Sequence, residues 1–360
     1  MRRDDGVANG GEVIGLCRAI GLIGACAMAF AIAPIPRGHA AEDAAARLGQ
    51  ALAAAEAQNG AASPRLLPVI AQLAQAHQRD GALGDAAMLR RRALDIAIAT
   101  FGADSLEAAE AMAALAMLDI DRRRYLDAEP LLIIAHGLLK DRDSANQRAV
   151  AMIDAGLARI TLARGKLNPA ERWARHAVAA AQAAAPGRSA EALRTLGAVL
   201  TAEERFDEAE RVLNEAVSRD REQRGADAAD TARSLSQLGN LYLRAGRAKK
   251  ALPPLEEATA IDQQRLGPTH PFIADDLHDL GLAYEALHRG EEAHRAFVAA
   301  IAVLDHGAGR DTPRVAYVEI ELSHLYRQRG DTAASVAAFR DARRILNKAE
   351  AEERKRERRA

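Results

Sequence analysis

Six of the ten histidines in this chain of 360 residues, His270, His278, His288, His294, His306 and His324, fall in its last third. Imidazoles gathered in this way hold a metal ion or move protons when a fold brings them to one point. Their spacing argues against it. No two lie at i, i+4 and there is no His-Glu-x-x-His, the arrangements that turn ligands to one face of a helix. Thiolates cannot complete a tetrahedral site, because the only cysteines are Cys17 and Cys26, close to the N-terminus. Gly156 to Gly165-Lys166 has the wrong spacing for a phosphate loop, no Gly-x-Ser-x-Gly occurs, and neighbouring carboxylates such as Glu256-Glu257 and Glu291-Glu292 diverge on a helix. These residues predict no catalytic, metal or cofactor site. His270 is expected in a connector, His288 in a turn and His294 at an outward helix position.

The elements that position these side chains are set by a ladder of small residues. Its first rungs are Ala86, Ala128, Ala170, Ala209, Ala251, Ala293 and Ser335, at steps of 42 except for one of 39. Seven residues after each comes Ala93, Ala135, Ala177, Ala216, Ala258, Ala300 or Ala342, and thirteen before each comes Leu73, Leu115, Leu157, Leu196, Leu238, Leu280 or Leu322. A period of this length means stacked supersecondary units rather than one globular core. Aromatic residues make up 3% of the chain and alanine and leucine abound, so propensity favours helix almost throughout. The fold class is therefore all-α, a solenoid.

Within a unit the physics is that of a helical hairpin. Leu277, Leu280, Gly281 and Tyr284 lie on one face of a 3.6-residue helix that Pro271 can start. His288-Arg289-Gly290 interrupts it, and Ala293, Phe297, Ala300 and Leu304 trace a second stripe. Alanine at the rungs lets two helix axes approach closely, and one hairpin cannot bury both stripes, so neighbours must stack.

The chain's two ends read differently. Arg2, Arg3 and Arg18 precede an uncharged apolar run from Ala19 to Ala33, 15 residues long, and Gly38-His39-Ala40 offers a cut before Ala41. That is the pattern of a secretory signal peptide over 1–40, since a spanning helix needs about 20 apolar residues. The localisation predicted is export, to the bacterial periplasm, with no stable membrane span after cleavage; the alternatives are an uncleaved membrane anchor and, since Ile23-Gly24-Ala25-Cys26 loosely resembles a lipobox, a lipoprotein. Both cysteines leave with the segment, which suits an oxidising compartment. What remains carries 45 Lys+Arg against 47 Asp+Glu, a net charge of −2, which argues against nucleic acid as partner. Residues 41–64 read as an N-terminal capping helix with Leu48 and Leu52 on one face, 65–348 as the seven-repeat solenoid, and 349–360 as a charged helical tail that shields the last unit with polar groups.

Leu280, Gly281, Tyr284, Ala293, Phe297 and Ala300, with the connector Leu266-Gly267-Pro268-Thr269-His270-Pro271, resemble the tetratricopeptide repeats. The 42-residue period is similar to that of the kinesin-light-chain type, also found in many bacterial proteins. The likeness covers residues 66 to 348. Four early units depart from it, with His77, Asp119, Thr161 and Leu200 in the tyrosine position. The resemblance implies a right-handed α-solenoid of about seven antiparallel helix pairs whose first helices line a concave surface.

Counted from each leucine, the concave positions are Arg194, Arg233, Ser236, Asn240, Asp275, His278, Glu285, Tyr317, His324 and Arg327, a polar groove over the last four units. Units one to three present Ala71, Ala113, Met117, Ile120 and Ala155, a smoother apolar lining. The function this implies is a non-catalytic exported scaffold or adaptor binding a protein or peptide along that face. Two rivals are an enzyme or accessory domain acting on cell-envelope polymers, which would need His278, Glu321 and His324 to converge, and a self-associating scaffold, that is, a homo-oligomer stacking through its ends.

Overall fold

The computed structural model describes residues 39–139, 146–185, 189–267 and 270–357, so most of the segment expected to be a signal peptide, before His39, and the last three residues lie outside the described part. Helix α1 (His39–Asn59) is followed by a short 3-10 turn (Pro64–Leu66) and seven helix pairs: α2 (Leu67–Arg79) with α3 (Leu83–Phe101), α4 (Leu106–Asp121) with α5 (Tyr125–Leu139), α6 (Gln147–Ala163) with α7 (Leu167–Ala184), α8 (Ala190–Ala202) with α9 (Phe206–Arg224), α10 (Ala229–Arg244) with α11 (Ala248–Leu266), α12 (Pro271–Ala286) with α13 (Gly290–Ala308), and α14 (Pro313–Gln328) with α15 (Thr332–Glu357). There is no strand among the described residues, and no helix there is long and apolar enough to cross a membrane. Each helix packs on its sequence neighbours, and successive first helices of the pairs touch from α4 to α12. This is an all-α solenoid.

Every rung of the alanine ladder and every one of the seven leucines is buried. The methyl-sized rungs do what their volume allows, and a second device adds to them. Gly197, Gly239 and Gly281 each follow a ladder leucine, and a methyl group placed on them would stand 2.4 Å from Leu213, Leu255 and Phe297, sixteen residues on. Removing the Cβ therefore makes a hole in the first helix into which the second helix drives its largest side chain. In the seventh unit the hole is filled by Ser323, whose hydroxyl bonds that of Ser335 at 3.1 Å, and the corresponding knob, Phe339, stands exposed.

The turn inside each pair also repeats. Gly81, Arg123, Gly165, Glu204, Gly246, His288 and Gly330 all take φ between 58° and 78°, the left-handed corner that a C-terminal helix residue needs to reverse the chain. Three of the seven are not glycine, each at a local cost that the packing on either side over-determines. At the far end of the pairs, N-caps are supplied by Ser105 to the Ala108 amide and Thr312 to the Val315 amide, followed in the last case by Pro313.

The two ends of the stack differ from one another. On α1, Leu52 is buried with Leu66, Ile70 and Leu73, Leu48 packs beside them, and Arg92 of α3 bonds both Glu56 and the Ala61 carbonyl. The other end is not wholly polar as the tail composition suggested, because Val336 and Phe339 of α15 lie open, uncovered by any helix among the described residues. Its charge is organised instead around Asp311, which receives Arg344 at 2.8 Å and Lys348 at 2.6 Å and is held at about 2 by them.

Candidate functional site

The concave positions of the last four units divide into side chains engaged within the stack and side chains left to solvent. Arg194 belongs to the first group: Nη1 lies 2.7 Å from Asp220 Oδ2 and 3.3 Å from Ser234 Oγ, and the side chain is 11% exposed. Register placed it on the groove, and the buried carboxylate turns it inward. Ser236 donates to Asp276 Oδ1 at 2.5 Å, Asp275 receives Arg314, and Glu285 accepts from Gln328 at 2.8 Å. Asn240 Nδ2 stands 3.5 Å from Asp279, at the far limit of a hydrogen bond. His278 is half-buried, 3.6 Å from Asp279, with Nε2 buried and no partner for it among the described residues. Tyr317, His324 and Arg327 are exposed, and so is Arg233, which stacks on Phe272 with 5.1 Å from its guanidinium carbon to the ring centre. His324 meets Glu321 of its own helix at 3.8 Å, and an open depression of 680 Å³ lies between Leu282, Glu285, Ala286, His288 and Gln328.

Two features of this surface carry no sequence signal. The first is closure. His270, the N-cap of α12, reaches 192 residues back, its Nε2 3.2 Å from the Gln78 carbonyl at the end of α2. The superhelix therefore brings the rim of the first unit against the start of the sixth. Nδ1 accepts the Phe272 amide at 3.2 Å, so the hydrogen must sit on Nε2 and be donated to Gln78. Burial, helped by the Arg233 charge, lowers the imidazole's pKa from 6.5. A depressed imidazole contributes stability that is complete above pH 6.5 and is lost as pH falls through its lower folded value. Protonation puts a hydrogen on Nδ1 and removes the cap. The expected result is faster exchange of the Phe272 amide at pH 5 than at pH 7, after correction for intrinsic rate, and no such change in His270→Asn, which keeps a capping oxygen; equal protection at both pH values in the wild type would refute the assignment.

The second is a polar hub between the second and third units. Asp154 of α6, wholly buried, accepts from His136 Nδ1 of α5 at 3.0 Å and from His176 Nδ1 of α7, and Trp173 meets the His136 ring edge-on at 4.9 Å. Burial pushes the Asp154 carboxyl above its ordinary range and the two imidazoles pull it back. A carboxylate that orients two imidazoles is a familiar support for ligands and bases, yet no third ligand stands with them: no metal-competent group of His, Cys, Asp and Glu is found among the described residues. The hub ties three successive helices together. His294 is likewise engaged, taking the Tyr326 hydroxyl at 2.9 Å across a unit boundary, as Glu210 takes Tyr242 and Glu256 takes Tyr284.

Residues 188–264, which span α8 to most of α11, match the family model described as tetratricopeptide repeat. No curated protein matches the chain. Among solved structures it is similar to a Rap protein complexed with Competence and Sporulation Factor, at 13% identity and TM-score 0.60 over 81% of this chain and 79% of that one. It is also similar to aspartyl phosphate phosphatase F from Bacillus subtilis, at 14% identity and TM-score 0.55 over 81% and 73%, and to a putative kinesin light chain from Podosopora anserina, at 21% and 0.47 over 58% and 98%. For the first two the likeness is one of fold. Solenoids of this kind present extended concave surfaces to protein partners. Residues 188–264 are thus of tetratricopeptide-repeat type, and the ladder of the other units, in step apart from one interval of 39, is consistent with a protein of that kind throughout.

Proposed function

We propose that the chain is an exported, non-catalytic adaptor that holds a segment of another protein along its concave face, over the last three units. The observation that carries this reading is the set Arg233, Tyr317, His324 and Arg327, exposed at concave positions of the first helices of units five and seven while the framework around them is closed. Such a set offers donors to backbone carbonyls and carboxylates of an extended chain. The contact of His270 with Gln78 favours a narrow occupant, because it walls the face on its open side. Export follows from the basic and apolar N-terminal pattern; since α1 starts at His39, cleavage before Ala41 would remove two residues of that helix and leave Leu48 and Leu52 in place.

Photo-crosslinking in the native cell tests it. Benzoylphenylalanine placed at Tyr317 or His324 is expected to capture a discrete protein, and at Arg295, exposed on the second helix of unit six, to capture none. Equal capture from all three positions, or none from the first two, overturns the reading. Intact mass of the protein recovered from the periplasm reports the cleavage site.

A further inference from the structure

The junctions between units contain a position whose chemistry changes along the stack. Three residues define it: two before the ladder leucine, four after the second alanine, and four before the leucine of the next unit. In the first three junctions these are alanine, leucine or isoleucine throughout. Between units four and five they are Arg194, Asp220 and Ser234, joined by an ion pair of 2.7 Å and a hydroxyl-to-carboxylate bond of 2.6 Å. Between units five and six they are Ser236, Asp262 and Asp276. The first aspartate is kept, the arginine has become serine, and the serine has become a second aspartate.

Two carboxyls are thus buried together, 2% and 4% exposed, at the place where the preceding junction holds a carboxylate and a guanidinium. Ser236 satisfies one oxygen, Asp276 Oδ1. Asp262 Oδ1 and Asp276 Oδ2 are buried and receive no donor among the described residues. Burial raises both pKa values. The charges of Asp262 and of Asp279 and Asp275 on α12 push the Asp276 carboxyl up further, which favours a proton on it, while Arg233 of α10 attracts the Asp262 charge from a distance. In the junction before, the side chain that neutralises the aspartate enters from the concave lip. Ser236 stands at that lip, half-buried, and is shorter than arginine by most of a side chain.

We propose that the junction of units five and six receives a basic side chain, arginine or lysine, from the segment lying along the concave face, its cationic head sitting between Asp262 and Asp276 as Arg194 sits beside Asp220. This rests on the reading of the concave face as a docking surface and adds the charge of its occupant. On binding, the cation replaces the proton that the raised Asp276 carboxyl favours, which leaves to solvent.

Ser236→Arg supplies the missing cation within the chain and needs no partner. Carboxyls with raised folded values contribute stability that is complete below the unfolded value of about 4 and is lost as pH rises through the folded ones, about 6 for Asp262 and well above the ordinary carboxyl value for Asp276. The wild-type Tm is therefore expected to fall between pH 4 and 7.5 relative to Asp276→Ser, which removes the second carboxyl and leaves the fold intact. Ser236→Arg is expected to flatten that fall and raise Tm at pH 7.5 by on the order of 3 °C. Ethylguanidinium chloride, compared with tetramethylammonium chloride at equal concentration, is expected to raise the wild-type Tm and to leave both variants unmoved. If the wild type responds to the two salts alike, or its pH profile matches that of Asp276→Ser, the inference fails whatever the crosslinking shows. If these results hold and no protein is captured from Tyr317 or His324, it is the docking reading that fails.

Discussion

Phe297→Ala lowers the stability of the stack by about 3–5 kcal/mol, while Phe339→Ala, the same repeat position one unit later, changes it by less than about 0.5 kcal/mol. The two side chains are identical and 42 residues apart. What differs is the helix they face. Phe297 is 0% exposed, its ring over the bare Cα of Gly281, where an added methyl would meet Cε1 at 2.4 Å. Truncation removes the transfer energy of a ring and leaves a cavity between α12 and α13 that rigid neighbours cannot fill. Phe339 is 55% exposed, because Ser323 fills its hole and no helix among the described residues packs over that face of α15. Urea unfolding with hydrogen exchange gives the answer, since a solenoid can open unit by unit and a single midpoint would blur the site of the loss. The expected map has protection lost in α12 to α15 for Phe297→Ala and unchanged for Phe339→Ala. Losses of equal size would mean that the glycine hole contributes nothing beyond burial. A companion change follows from the same geometry: Gly281→Ala, destabilising alone by about 1–3 kcal/mol, is tolerated in the Phe297→Ala background.

The fold was legible because each unit buries its stripes on the next, so packing is local and leaves a periodic trace. Leu73 to Leu322 and the alanines behind them needed no knowledge of partners to be placed in the core. Burial of a methyl is decided by register alone. Pairing of polar groups is not, and there the sequence runs out. His136, Asp154 and His176 come from three helices at separations of 18 and 22 residues, across the breaks between helices, where no helical period carries over. The contact of His270 with Gln78 sums small rotations over five units, and nothing local encodes the sum. Arg194 shows the limit most directly: its register matches that of Ser236 and His278 on the concave side, and a buried aspartate one helix away decides where its guanidinium goes.

Arg194→Ala should accordingly behave as a core lesion and not as a lost surface contact. Asp220 is 5% exposed, and with the guanidinium gone it keeps one donor, the Ser234 hydroxyl. Breaking a buried ion pair from one side costs about 3–5 kcal/mol, because the remaining charge has neither water nor counter-ion. Removing both charges is a different experiment. The junction of units six and seven fills the same three positions with His278, Leu304 and Val318, the last two buried, so the fold already accepts an apolar version of the site. Arg194→Ala with Asp220→Leu is therefore expected to recover most of the loss, a coupling of about 2–3 kcal/mol in a double-mutant cycle. Urea titrations of the wild type, the two single variants and the double variant measure it. Should Arg194→Ala unfold like the wild type and instead abolish capture from Tyr317 or His324, the arginine would belong to the partner surface and the carboxylate beneath it would be its anchor. A large loss that the second substitution repairs places it in the framework, and leaves Asp262 and Asp276, where no such arginine exists, as the position that a partner's cation can fill.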